Sequence, residues 1–218
     1  MEESKEKLPE GYTHLFSTLT GSHAWNMNHP GSDKDLFVCY AAPSTEFLIG
    51  RTHNKSHYSK INGVDRTSTE IGKVVNQLLK NNINYLTCVL SPAVEFTTPE
   101  HKRLYNLAIM NIHRECYRSI KGFAYDEFKK KVNGGDKDTQ KVRRSILRTL
   151  NFGIALLGKG IVDFAPVTGD VEIHEIDYAF EKLDFAYENT VLPDKPLHSD
   201  KMMDWLLNIR MQDLCENI

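Results

Sequence analysis

Two aspartates separated by one lysine, Asp33 and Asp35, stand directly before an apolar stretch of the chain. On an extended strand, residues i and i+2 point to the same face, so the two carboxylates would lie about 6–7 Å apart. Carboxylates placed in this way hold hard divalent cations such as Mg²⁺ or Mn²⁺, which can bridge phosphates and activate a hydroxyl. The spacing therefore predicts a metal site that acts on phosphates.

A third carboxylate usually completes such a site from a neighbouring strand, and two residues are suitably placed in the sequence. Asp65 lies at the start of a predicted strand and is our first choice, whereas Glu70 at the end of that strand is the alternative. Position in the sequence is the only basis for this order.

Two small residues, Gly21 and Ser22, precede the aspartates by ten intervening residues. A small-residue turn that opens a helix presents backbone N–H groups to a phosphate, so we predict that both contact a nucleotide. His23, beside Ser22, is a further candidate for the nucleotide pocket. No cysteine accompanies the histidines at 23, 29, 53 and 57, and His53 and His57 fall in a predicted loop, so they do not indicate a zinc site.

The order of predicted elements is typical of an α+β protein. Period-2 and β-branched stretches predict strands at 14–20, 35–42 and 64–69, and the segment 44–62 is predicted to be a weak strand with an exposed loop. Helical spacing predicts helices at 70–80, 85–90, 99–131, 139–157, about 178–189 and about 199–214. This pattern predicts an α/β catalytic domain over residues 1–98 and a helical domain over residues 99–218.

The chain has 218 residues and a formal net charge of −2, but basic residues are concentrated between Lys129 and Arg148. Such a concentration could be a solvated helix face or a surface that contacts RNA, for which we select Arg143, Arg144 and Arg148. Lys73, on a predicted amphipathic helix, could neutralise phosphate charge or simply be solvated.

The four cysteines are widely spaced, with no C-x-x-C pair to indicate a zinc ribbon or redox motif. The N-terminus is charged where a signal peptide would be apolar, and the sequence has no apolar stretch of membrane-spanning length. We therefore expect a cytoplasmic protein without a membrane partner.

The motif G-S followed by ten residues and D-x-D resembles the signature of the DNA polymerase β nucleotidyltransferase superfamily. The segment TEIGKVVNQLLKNNINYLTCVLSP is similar to its RNA-repair-pathway subgroup, the RlaP/YcgL-like proteins. RRSILRTLNFGIALLGKG, followed by VLPDKP, resembles the helical half of those proteins. The resemblance implies a polymerase β-like core, with a short mixed sheet flanked by helices, followed by an all-helical C-terminal region.

The same resemblance implies a metal-bound nucleoside triphosphate, attack on its α-phosphate, and release of pyrophosphate. Asp33 and Asp35 would coordinate Mg²⁺ or Mn²⁺ together with Asp65, or alternatively Glu70. The acceptor would be an RNA or tRNA end. Transfer of AMP to a protein, as in small antitoxins, and a catalytically silent nucleotide-binding scaffold are the alternatives. The base of the nucleotide, the number of nucleotides added and the oligomeric state stay open.

Overall fold

A computed structural model describes residues 8–132 and 139–217 of the chain. Its centre is a five-stranded mixed sheet in the order β3-β4-β2-β1-β5, in which β2 and β4 are parallel and the other pairs are antiparallel. The strands are β1 (Thr13–Leu19), β2 (Lys34–Ala41), β3 (His57–Ile61), β4 (Val64–Glu70) and β5 (Val94–Phe96). The predicted α+β class with a short mixed sheet is confirmed.

Two elements of this region, β5 and a short helix, were not predicted from the sequence. β5 is short and exposed along its length, so it has no alternation of buried and exposed residues that would identify a strand. The segment 44–62 contains a strand, β3, where a weak strand was predicted, and in addition a short helix that was not predicted, α2 (Ser44–Leu48). β3 and β4 form a hairpin whose turn residues Asn62 and Gly63 both have positive φ, as a two-residue hairpin turn requires.

Short helices follow the strands and cover the sheet. α1 (Gly21–Ala24) follows β1, and α3 (Ile71–Leu79) and α4 (Ile83–Leu90) follow β4. The predicted apolar stripe of α3 is buried at Ile71, Val74, Val75 and Leu78. Asn81 has a left-handed φ of 49°, and the Asn82 side chain caps α4 by accepting from the Asn84 N–H at 3.0 Å.

The second half of the described chain is helical, as predicted, with some boundaries shifted. The predicted run 99–131 divides between Asn111 and Glu115, and α8 starts before residue 178 because Glu172 and Glu175 form a reciprocal capping box. The helices are α5 (Pro99–Met110), α6 (Cys116–Glu127), a π-helix (Phe128–Val132), α7 (Gln140–Lys159), α8 (Ile173–Glu188) and α9 (Ser199–Asn217).

The last helix returns to the first half of the chain. Arg210 of α9 forms an ion pair with Glu70 and donates to the Ala42 carbonyl at 3.1 Å, while the Trp205 indole donates to Glu100 at 2.6 Å. Buried apolar residues from both halves form one hydrophobic cluster. Across residues 8–132 and 139–217, no helix combines the length and apolar character needed to cross a membrane.

Candidate active site

Two of the predicted acids lie side by side on the parallel strands β2 and β4. Asp35 and Asp65 are register partners, so their Cα atoms are separated by one strand spacing, about 4.8 Å. Asp33 is exposed and immediately precedes β2, two residues before Asp35. The structure thus brings Asp35 and Asp65 together at one end of β2 and β4, with Asp33 directly before β2.

Asp35 lies in a mainly negative environment. Burial raises its pKa above the usual aspartate range, and the negative charges of Asp65 and Asp33 raise it further. Lys141 of α7 and His23 of α1 lower it in part. The cluster therefore carries negative charge that these neighbouring cations do not fully compensate, and a divalent cation would stabilise it.

The chemistry of this donor set fits Mg²⁺ or Mn²⁺, because all three side chains offer carboxylate oxygens. The side chains do not converge into a finished metal cage: within the described ranges, no group of three His, Cys, Asp or Glu residues has metal-binding geometry. Lys60 of β3 holds the Asp65 carboxylate in an ion pair at 3.2 Å. A bound cation would therefore compete with Lys60 for Asp65.

Gly21 packs directly against the Asp35 side chain. It has a φ of +57°, and a Cβ atom at this position would lie 2.5 Å from Oδ2 of Asp35. The preceding residue, Thr20, donates its backbone N–H to the Asp35 carbonyl at 2.8 Å. Ser22 follows within α1, and its carbonyl accepts from the Met27 N–H at 2.9 Å. The Gly-Ser element and the aspartate strand are thus in direct contact.

Glu70, the alternative third acid, lies at the other end of β4. It pairs in register with Tyr40, is 2% exposed, and accepts from the Gly72 N–H at 2.6 Å as the cap of α3. Its carboxylate is also paired with Arg210. The structure therefore brings Asp65, and not Glu70, beside Asp35.

Arg148 of α7, selected from the sequence for RNA contact, lies near the aspartates. Burial lowers the pKa of its guanidinium to about 10, and the charge of Asp35 opposes that shift. The guanidinium carbon is 5.3 Å from the centre of the Trp25 ring. Its Nε, like Nε2 of His23, is buried without a hydrogen-bond partner in the part of the chain that the structure describes.

The other two selected arginines bind the segment between α7 and α8. Arg143 donates to the Val171 carbonyl at 3.2 Å and Arg144 to the Gly169 carbonyl at 3.3 Å. Lys137 of the basic region lies outside the described residues. Lys141 and Arg148 are separated by seven residues on one helix, which puts them on the same face. That spacing predicts a shared basic face, but the sequence does not show that this face turns toward Asp35.

A cavity of about 370 Å³ extends from this cluster along the face of the sheet. Gly21 and Arg148 line the end near Asp35, and Thr67 and Thr69 of β4 lie farther along. Its volume is in the range of small-molecule binding sites. Residues of α4, α6 and α7 form the opposite wall, among them Asn84, Phe123 and Thr149.

Lys73 is not beside the aspartates, where a phosphate-neutralising role would place it. Its Nζ donates to Oγ of Ser56 at 3.0 Å, and that hydroxyl is 2.9 Å from Oγ1 of Thr69. Thr69 is four residues along β4 from Asp65, a distance of about 13 Å. Lys73 therefore contacts the wall of the cavity at the end that is farther from Asp65.

Comparisons with known proteins identify similar sequences. The chain matches the RNA repair pathway DNA polymerase beta family, RlaP, over residues 2–161. It is also 26% identical over 157 residues to an uncharacterized protein of Methanocaldococcus jannaschii. That match covers 67% of this chain and 61% of the relative, so the chain spans about three fifths of the relative's length.

Proposed function

Because the chain belongs to the RNA repair pathway DNA polymerase beta family, we propose that it is a metal-dependent nucleotidyltransferase. It transfers a nucleoside monophosphate from a nucleoside triphosphate to an acceptor hydroxyl and releases pyrophosphate. The observation that carries the proposal is that Asp35 and Asp65 are register partners on parallel strands, with Asp33 two residues before Asp35. The family name supports an RNA end as the acceptor.

In this proposal Asp33, Asp35 and Asp65 hold Mg²⁺ or Mn²⁺, which supplies charge neutralisation at the phosphates. The acceptor oxygen attacks the α-phosphorus while the bond from that phosphorus to the bridging oxygen breaks. Pyrophosphate leaves with that bonding electron pair. Asp65 takes the proton of the acceptor hydroxyl, a general-base role typically worth about 10²–10⁴-fold in rate.

The groups opposite the aspartates bind the triphosphate. Arg148 offers a desolvated guanidinium whose Nε has no partner among the described residues, and His23, which also acts on Asp35, has a buried Nε2 with no partner among them. Lys141 adds positive charge from the same face of α7. Gly21 leaves room for Asp35 at the point where Ser22 contacts the phosphates. Positioning and charge neutralisation are the main contributions of a protein to phosphoryl transfer.

One observation favours a second candidate function, a catalytically silent nucleotide-binding scaffold. Lys60 pairs with Asp65 at 3.2 Å and thereby occupies the carboxylate that a metal needs. This ion pair is exposed, with side-chain accessibilities of 62% and 46%, and exposed pairs contribute at most about 1 kcal/mol. A divalent cation displaces such a pair easily, so we favour the active enzyme.

The test is a transfer assay with each labelled nucleoside triphosphate, Mg²⁺ or Mn²⁺, and a mixture of RNA and protein. The wild type should label an acceptor, and the Asp33→Ala/Asp35→Ala double variant should not. The control is Asp177→Ala, which removes an exposed aspartate of α8 far along the chain. Sensitivity of the labelled product to RNase or to protease identifies the acceptor as RNA or protein.

Two further variants identify the third carboxylate. Asp65→Asn should lower the transfer rate by more than about 100-fold, because it removes the proton acceptor. Glu70→Gln should keep the specific activity of the folded protein, since the amide oxygen can still accept from Gly72. Metal-dependent nucleotide binding without transfer to any acceptor would instead support the silent scaffold.

A further inference from the structure

The far end of the cavity is a polar pocket formed by β4, the start of β3 and α4. From the aspartate end, the sheet face continues along β4 through Thr67 to Thr69, and Tyr58 of β3 is the register partner of Thr67. Ser56, immediately before β3, reaches Thr69 with its hydroxyl at 2.9 Å. The hydroxyl of Tyr85 from α4 lies 3.5 Å from the same Ser56 oxygen. Three hydroxyl groups therefore meet about 13 Å along the strand from Asp65.

A positively charged side chain, that of Lys73, contacts this group of hydroxyls. The half-buried Lys73 donates to Ser56 at 3.0 Å, and in the part of the chain that the structure describes no carboxylate lies within ion-pair distance of its ammonium. Glu70, three residues earlier on the same segment, is paired with Arg210 instead. A half-buried ammonium without a counter-charge makes this end of the cavity electropositive.

The ammonium sets the direction of one hydrogen bond. Lysine can only donate, so the Ser56 oxygen accepts from Lys73, whereas its contacts with Thr69 and Tyr85 each use one hydroxyl proton from either partner. Three hydroxyl protons share these two contacts, so at least one is left to donate to a ligand. A hydroxyl whose oxygen already accepts from a cation is polarised into a stronger donor. The group thus presents donors and positive potential to the cavity, which suits a ligand atom that accepts hydrogen bonds.

We propose that this pocket of Ser56, Thr69 and Tyr85, backed by Lys73, binds the nucleobase of the triphosphate and favours guanine and uracil. This assignment rests on the proposed function, in which the phosphates are held at the aspartates and the base extends along the cavity. Guanine and uracil present an exocyclic carbonyl oxygen at the position where adenine and cytosine present an amino group. The positive charge of Lys73 attracts such a carbonyl oxygen and disfavours the partly positive hydrogens of an amino group at the same place.

The test measures the affinity of the full chain for GTP, UTP, ATP and CTP with Mg²⁺ by calorimetry, alongside inorganic tripolyphosphate. The wild type should bind GTP or UTP about tenfold or more tightly than ATP and CTP, in line with a hydrogen bond to a charged network. Lys73→Met and Thr69→Val should reduce that preference severalfold while leaving tripolyphosphate affinity unchanged. Lys73→Arg, which keeps the charge and the donors, should retain it.

Lys80→Met is the matched control, since Lys80 is an exposed lysine that follows the same helix. It should leave all the affinities unchanged, and melting curves show that each variant is folded. Equal wild-type affinity for all four nucleotides, or a preference for ATP or CTP, overturns this inference while the proposed function survives. Failure to bind tripolyphosphate and every nucleotide overturns the proposed function, and this inference with it.

Discussion

Asp35 shows how the proposed metal-binding arrangement conflicts with stability at a single residue. Its pKa is raised by burial and by Asp65 and Asp33, so the ionised form is disfavoured in the folded state. The resulting penalty is complete above the raised pKa, shrinks as pH falls through it, and disappears below the ordinary aspartate pKa. The negative charge that would bind a cation therefore destabilises the protein when the cation is absent.

We predict that Asp35→Asn loses transfer activity yet melts at a higher temperature than the wild type at neutral pH. After allowance for solvent screening the gain is under about 1 kcal/mol, or up to about 3 °C for a chain of this size. The difference should close as pH falls toward 4, because both proteins then carry a neutral group. Melting curves over this pH range, with and without Mg²⁺, measure it.

Mg²⁺ itself supplies the control for this prediction. It should raise the melting temperature of the wild type and leave that of Asp35→Asn unchanged, because only the wild type gains a ligand in the folded state. If the asparagine variant were less stable than the wild type at neutral pH, the carboxylate would be a structural group and our account of its environment would be wrong.

Among the elements, α7 makes the connection between the two halves of the candidate site. Its basic face brings Lys141 and Arg148 to Asp35, and its middle packs Phe152 against Trp25 with ring centroids 5.7 Å apart. Arg148 is held by this packing and not by hydrogen bonds from its Nε to the described residues. A guanidinium held in this way is suited to bind phosphate with two parallel hydrogen bonds.

For this helix we predict that Arg148→Met lowers kcat/KM for the triphosphate by about ten- to 100-fold, the effect of losing a charged hydrogen bond. Stability should stay the same or rise, since burial disfavours the charged guanidinium. Arg148→Lys should recover only part of the activity, because lysine lacks the planar fork. Steady-state kinetics and denaturant unfolding are the measurements.

Arg144→Met on the same helix is the comparison variant, because Arg144 donates to the Gly169 carbonyl instead of lining the cavity. It should leave the KM for the triphosphate unchanged. Loss of stability in Arg148→Met, together with an unchanged KM, would show that Arg148 only packs against Trp25 and would contradict its assignment to the phosphates.

Some features of these elements could be predicted from the sequence, and others could not. Local patterns were sufficient for the α+β order, for the stripe of α3 and for the acids at the start of β2. The position of Lys73 depends on a contact with Ser56, 17 residues away, and on the register of β3 against β4. The position of Arg148 depends on α7 packing across Trp25. Such long-range contacts leave no local periodicity in the sequence.

At the scale of the whole molecule, α9 connects the end of the chain to the sheet. Arg210 pairs with Glu70, donates to the Ala42 carbonyl and lies 4.2 Å from the centre of the Phe47 ring. Glu70 is almost fully buried at the junction of β4 and α3, so it depends on a cation that is distant in sequence. The division into domains at residue 98 stays a prediction, and this contact across the boundary offers a test of how independently the two parts unfold.

We predict that Arg210→Met destabilises the protein by about 3–5 kcal/mol, because it leaves the Glu70 carboxylate buried without a counter-charge. The double variant Arg210→Met/Glu70→Gln should recover much of this loss, since glutamine can still cap α3 through its amide oxygen. Arg118→Met, which breaks an exposed i,i+3 pair with Glu115, should change stability by less than about 1 kcal/mol. Denaturant unfolding of the wild type, both single variants Arg210→Met and Glu70→Gln, and the double variant completes a double-mutant cycle. If the effects of the two single substitutions on the free energy of unfolding are strictly additive, the pair does not couple α9 to the sheet. A strong coupling energy, measured within one unfolding transition, would mean that the helical half and the sheet unfold together.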